Sequence, residues 1–131
     1  MGMPRRRIVI DHVSLGVSDL ARSREFYRRA LAPLGFSELG QWREGASEVA
    51  FGLKEADDFA ISTAYAVGGG HVAFAADRRD QVDAFYEAAL QAGGQDNGEP
   101  GVRPEYSAGY YGAFVLDPDG HNIEAVHHGD E

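Results

Sequence analysis

Apolar residues in this chain alternate with polar ones in short runs, and twice the alternation gives way to a helical period. Over 8–17 a period of two sets Val9, Val13, Leu15 and Val17 on one face and Ile10, His12, Ser14 and Gly16 on the other. That is the mark of a strand with one buried side. Ser18-Asp19 then offers a helix N-cap, and Leu20, Ser23, Phe26-Tyr27, Ala30-Leu31 and Leu34 recur at helical spacing until Pro33-Leu34-Gly35 ends the helix. Three short extended segments follow, around 38–43, 48–53 and 59–63, split by Glu44-Gly45 and by the acidic turn Glu55-Ala56-Asp57-Asp58. The order is βαβββ.

The same order then returns. A strand over 71–76 leads to a helix over about 79–92 with Val82, Phe85-Tyr86 and Ala89-Leu90 on one side, ended by Gly93-Gly94. Residues 95–109 are polar and rich in Gly and Pro, which fits either a long irregular loop or a poorly regular strand. Segments 110–116 and 121–127 flank the tight-turn sequence Asp117-Pro118-Asp119-Gly120 and form an antiparallel hairpin. Pairing Leu116 with His121 sets Ala113 opposite Glu124 and Tyr111 opposite Val126. The repetition extends to residues: an offset of 59 carries His12 onto His71, Phe26-Tyr27 onto Phe85-Tyr86, Ala30-Leu31 onto Ala89-Leu90 and Gly35 onto Gly94. The copies realign at their ends, Ile61 with Ile123, at an offset of 62. Two copies are too few to stack as a solenoid. The pattern predicts two paired modules, about 8–65 and 69–128, within one domain spanning 1–131.

Composition narrows the function. A chain of 131 residues buries a core without disulfides or structural metal, and the absence of cysteine excludes thiolate chemistry and suits a reducing cytoplasm. A net charge of −9 repels nucleic acid and anionic membrane surfaces. The one basic cluster, Arg5-Arg6-Arg7, lacks the apolar stretch that follows it in a signal peptide. No apolar run approaches the ~20 residues that span a bilayer. Neither nucleic acid nor a membrane is an expected partner.

Period-two geometry also locates the candidate chemistry. His71, Ala73 and Ala75 share a strand face, as do His12, Ser14 and Gly16, so each imidazole has only small neighbours beside it. Asn122, Glu124 and Val126 face away from Ile123 and Ala125, which lets Glu124 point where the histidines point. Two imidazoles and a carboxylate suit one divalent ion per site, Fe, Mn, Ni, Co or Zn, with positions left for water or substrate. The hairpin register adds Tyr111 on the Glu124 face, a phenol able to donate to a bound oxygen or act as an acid. Arg103 and Tyr106 lie in the Gly/Pro-rich segment, where a cation reads an anionic substrate and the loop acts as a lid. Trp42 either lines the pocket or packs the first sheet.

The segments Ile10-Asp11-His12-Val13-Ser14-Leu15-Gly16-Val17-Ser18-Asp19, Phe26-Tyr27 and Tyr111-Gly112-Ala113-Phe114-Val115-Leu116-Asp117-Pro118-Asp119-Gly120-His121-Asn122-Ile123-Glu124 resemble the vicinal oxygen chelate superfamily of glyoxalases, bleomycin-resistance proteins and extradiol dioxygenases. The resemblance implies an α+β fold in which two tandem βαβββ modules form curved mixed sheets around a metal-binding cup. His12, His71 and Glu124 match the family's metal positions. A fourth position falls near Ser62, where glyoxalase I enzymes carry a glutamate that ligates and acts as base; serine does neither well. Implied function is therefore Lewis-acid chemistry on a small substrate bound through vicinal oxygens, lyase- or isomerase-like or extradiol-dioxygenase-like. A homodimer with modules exchanged is also implied, each site taking His12 from one chain and His71 with Glu124 from the other. The alternative is a non-catalytic sequestering protein of the bleomycin-resistance type, whose acidic, aromatic groove captures a cationic compound.

Overall fold

The computed structural model describes residues 10–40, 42–43, 45–54 and 56–129. Arg5-Arg6-Arg7, Ile8, Val9, Glu44 and Glu55 lie outside the described residues. The first module runs β1 (Val13–Gly16), α1 (Leu20–Leu31), β2 (Ser37–Leu39), β3 (Glu48–Gly52) and β4 (Phe59–Ser62). The second runs β5 (His71–Ala75), α2 (Arg79–Gln91), β6 (Gln95–Val102), β7 (Tyr110–Leu116) and β8 (Asn122–His128). Each module forms one mixed four-stranded sheet, ordered β1-β4-β3-β2 and β5-β8-β7-β6, in which the first strand lies parallel to the last. The fold is the expected α+β pair of tandem modules, with curved sheets that do not close.

Local chemistry sets the element ends. Asp19 caps α1 by accepting the Arg22 N–H at 3.2 Å, and Gly35 takes a left-handed φ of 91° after a 3₁₀ turn, Ala32–Leu34. β1 is shorter than the alternation suggests because its partner β4 starts at Phe59, level with Val13, so Ile10 to His12 have no ladder to join. β2 stops at Leu39, before Gly40 with φ 74°.

Residues 95–102 form a strand after all, held to β7 with two register shifts, one between Asp96 and Gly98 and one between Gly98 and Gly101. Pro100, which has no N–H to give a ladder, sits within the second irregularity. The β7–β8 register also departs from expectation by one residue. Leu116 pairs with Asn122, so Phe114 and not Ala113 faces Glu124, and Gly112 faces Val126. The turn explains the slip. Gly120 N–H donates to the Asp117 carbonyl and Asp117 N–H to the His121 carbonyl, leaving a three-residue loop, Pro118 to Gly120, whose glycine takes φ 87°. A slip of one residue exchanges the faces of a strand.

Helix faces of both sheets meet in one core. Phe26 and Tyr27 of α1 and Val82 and Phe85 of α2 are buried with Phe51, Phe59 and Ile61 of the first sheet and with Phe74, Val115 and Ile123 of the second. The Phe74 ring meets Phe59 edge-on at 5.1 Å and Phe36 at 5.3 Å, across the module boundary. The β7–β8 turn completes the join. Asp119 accepts the Ser18 hydroxyl at 2.6 Å, Asp117 accepts the Tyr27 phenol, and His121 spans Gly16 O at 2.8 Å and Gly70 N at 3.0 Å. Since the helix faces share the interior, the opposite face of each sheet looks away from it. Among the described residues no helix is long and apolar enough to cross a membrane.

Candidate functional site

The outer face of the second sheet carries the site. His71, at the start of β5, has Asn122 of β8 as its neighbour, and its Nδ1 lies 3.1 Å from the Asn122 carbonyl oxygen. With that nitrogen engaged, Nε2 is the one turned toward Glu124, 3.2 Å from Oε1. The imidazole stacks on Phe114 at an interplanar angle of 19° and is half-exposed, while the Glu124 side chain is only 2% exposed. A buried carboxylate is costly unless donors satisfy it. Tyr110 supplies one by donating its phenolic hydrogen to Oε2. Burial first, and then this bond, push the Tyr110 phenol well above the ordinary tyrosine range, so it stays a donor. Gly112 lies between the two: a Cβ there would come within 3.2 Å of Glu124 Oε2 and 3.1 Å of Tyr110 Cε1.

Around these groups lies a cavity of about 270 Å³ lined by His71, Tyr106, Tyr110, Phe114, Asn122 and Glu124. It shares Tyr106, Phe114 and Asn122 with a second cavity of about 350 Å³ that is bounded also by Asn97, Gly98 and Arg103. Volumes of this size suit a small organic molecule. Arg103 and Tyr106 thus border the surface on which His71 and Glu124 meet.

The other sequence-derived candidates lie elsewhere. Tyr111 is on the helix face as a consequence of the one-residue slip: its hydroxyl donates to Asp83 of α2 at 2.7 Å and Arg79 stacks on its ring. That bond first, then burial, raise its phenol above the usual value. Tyr110 occupies the place expected for Tyr111, and a turn read as three residues closing on an αL glycine would have found it. Phe114 and Asn122 were likewise missed, Phe114 by the same slip. Ser62 is buried at the end of β4, its Oγ accepting the Ala64 N–H at 3.0 Å. Trp42 packs under Arg24 at 4.7 Å, beside a separate cleft on the first sheet. His12 precedes β1, exposed, with Nδ1 2.9 Å from the Asp11 carboxylate, whose hydrogen bond raises the imidazole above its ordinary pKa.

The donor chemistry fits a divalent ion in two halves. Both histidines have Nδ1 engaged, by Asp11 in one case and by the Asn122 carbonyl in the other, which leaves Nε2 for a ligand. Metal-bound histidines are oriented in this way. His71 and Glu124 converge, but among the described residues no three His, Asp or Glu side chains of one chain gather as a metal-holding group. His12 belongs to the other sheet.

Comparison with known proteins agrees with this architecture. The model of the Glyoxalase/Bleomycin resistance protein/Dioxygenase superfamily matches residues 9–125. The uncharacterized protein YqjT of Bacillus subtilis (strain 168) is 30% identical over 122 residues, covering 88% of this chain and 95% of that protein. A glyoxalase/bleomycin resistance protein from Albidiferax ferrireducens T118 is 33% identical, with a TM-score of 0.76 over 89% of this chain and 97% of that one. A lactoylglutathione lyase from Agrobacterium tumefaciens shares the fold at 20% identity, with a TM-score of 0.68 over 95% of each chain. A repeated βαβββ module and a family match across nearly its whole length place one conclusion beyond the fold itself: the chain belongs to the Glyoxalase/Bleomycin resistance protein/Dioxygenase superfamily.

Proposed function

We propose that this chain is a divalent-metal-dependent enzyme acting on a small molecule bound through adjacent oxygens. Its metal would be held by His71 and Glu124 of one copy and His12 of a second copy, in a homodimer of the cytoplasm. The observation that carries the reading is the convergence of His71 Nε2 and Glu124 Oε1 at 3.2 Å, with the other nitrogen of His71 already committed to Asn122. An Fe, Mn, Ni, Co or Zn ion held there would supply Lewis acidity, stabilising negative charge on substrate oxygens.

The chain's own groups set the rest. Asn122 fixes the His71 ring, Tyr110 fixes Glu124, and Phe114 and Tyr106 line the cavity beside them. Tyr110 keeps its proton at neutral pH and so acts as a donor. Ser62 is spent on a turn and no base at neutral pH. Lactoylglutathione lyase chemistry that needs a carboxylate from the last strand of the first module is accordingly disfavoured, and isomerisation, group addition or, with iron, ring cleavage by O₂ is favoured.

Metal analysis of protein purified without chelator tests this. Near-stoichiometric metal is expected in the wild type, lost in His71→Ala and in Glu124→Ala. A wild-type chain that carries no metal and takes up none when supplied would overturn the reading. It would favour the second one, capture of a cationic compound, which the aromatic wall of Tyr106, Tyr110 and Phe114 around buried Glu124 supports.

A further inference from the structure

Among the described residues Arg103 is left without a carboxylate, in a chain that has 21 acidic residues. Arg24, Arg28 and Arg78 each hold one, at 2.7 to 2.9 Å, whereas among the described residues no carboxylate side chain forms a salt bridge with Arg103, as with Arg22, Arg29 and Arg43. It is nevertheless held in place. Its Nη2 donates to the Glu99 carbonyl at 2.7 Å and its guanidinium lies over the Phe114 ring, 5.6 Å from the centroid. Two glycines make room: a Cβ on Gly101 would stand 3.1 Å from Nη1 and one on Gly98 3.4 Å from Nη2. The Arg103 N–H donates to the Tyr110 carbonyl at 2.8 Å, which continues the β6–β7 ladder and sets Arg103 on the same face as Tyr110. The two register shifts in β6 are what bring both Gly98 and Arg103 to that face, since two extra residues restore the strand's parity.

We propose that Arg103, with the side-chain amide of Asn122, is a carboxylate-binding subsite, and that the substrate of the reaction proposed above is a small, flat carboxylic acid. Its vicinal oxygens lie at His71 and Glu124 and its carboxylate at Arg103. The cavities at the two ends share the Tyr106, Phe114 and Asn122 wall, so one molecule spans them. The aromatic pair favours a planar body. A monoanion is favoured over a phosphate because, among the described residues, Arg103 is the one arginine or lysine lining the cavities, with Glu124 close by and a net charge of −9. The planar fork of an arginine matches the planar, bidentate carboxylate.

The subsite rests on the proposed reaction for its purpose but not for its measurement, which needs no metal. Benzoate, benzamide and phenylphosphonate are titrated into the full chain, with and without EDTA, by calorimetry and by backbone amide NMR. Benzoate is expected to bind in both conditions, shifting the amides of Asn97, Gly98, Arg103 and Asn122, with benzamide and phenylphosphonate weaker. Arg103→Gln should raise the benzoate Kd by about tenfold or more, and Arg103→Lys, which keeps the charge and loses the fork, should fall between. Arg28→Gln, which removes a guanidinium on α1 far from the cavity, should leave it unchanged. Benzoate bound as tightly by Arg103→Gln as by the wild type, or no better than phenylphosphonate, or not at its solubility limit, would overturn the subsite. Arg103-dependent benzoate binding by a protein that takes up no metal would instead sink the metal reading and leave the subsite standing.

Discussion

At the scale of single residues, burying Glu124 is the step that demands compensation. A carboxylate 2% exposed is costly unless donors replace water, and Tyr110 donates to its Oε2 while His71 Nε2 lies 3.2 Å from its Oε1. Tyr110→Phe removes the donor to Oε2 while leaving the ring. In the metal-free chain we expect a loss of about 1–3 kcal/mol in urea denaturation, the cost of an unsatisfied buried acceptor. Metal affinity, read by chelator competition, should fall by about 10–100-fold, the usual effect of losing a group that orients a ligand. Tyr111→Phe is the matched control, since its partner Asp83 is exposed on α2. It should leave metal affinity unchanged, and a Tyr111 effect as large as that of Tyr110 would contradict the observed register. The sequence was legible here in part. Parity along each strand put His71 with Ala73 and Glu124 with Asn122 on one side, as observed. It was silent on which tyrosine joins them, because that depends on pairing between strands and a single residue of error exchanges Tyr110 for Tyr111.

At the scale of elements, the β7–β8 turn does two jobs: it sets the register of the site strand and locks one module to the other. Asp117 organises it, accepting the N–H groups of Asp119 and His121 at 2.9 and 2.8 Å. His121, 1% exposed, then bridges Gly16 of β1 and Gly70 before β5. His121→Ala would leave the Gly16 carbonyl and Gly70 N–H without that partner and open a void, so we expect about 2–4 kcal/mol of destabilisation. The readout is the urea midpoint, with an unchanged m-value showing that one cooperative unit is retained. A loss below 1 kcal/mol would mean the bridge is not what joins the modules. Helices and apolar strands were readable because burial imposes a period on them. β6 was not: Gln95, Asp96, Asn97 and Glu99 show no apolar alternation, because this edge strand has β7 as its one ladder partner and much of it is exposed. His121 shows no such role in the sequence, because nothing in its neighbours announces a partner 105 positions away.

At the scale of the whole molecule, the shared core decides what one chain can and cannot assemble. Helix faces of both sheets are spent on that core, so the face bearing Ser14 and Gly16 and the face bearing His71 and Glu124 both look outward. The linker also passes over Gly16, whose missing Cβ would lie 2.2 Å from the Ala66 carbonyl. Hydrophobic pattern fixes which side of each sheet is buried, not which sheet faces which, and so exchange between chains was implied by family likeness and not by periodicity. In an isologous dimer two outward faces, one from each copy, close two equivalent sites. Coexpression of His12→Ala with Glu124→Ala tests that arrangement. Each homodimer lacks a ligand in both of its sites. A heterodimer has one site with both lesions and one with none, taking His12 from the Glu124→Ala chain and Glu124 from the His12→Ala chain. Random pairing should therefore restore metal content to about a quarter of the wild-type value, in a fraction that elutes at the mass of two chains. No recovery from a mixture shown to contain heterodimers would place all three ligands in one chain, and full metal in His12→Ala alone would place His12 outside the site.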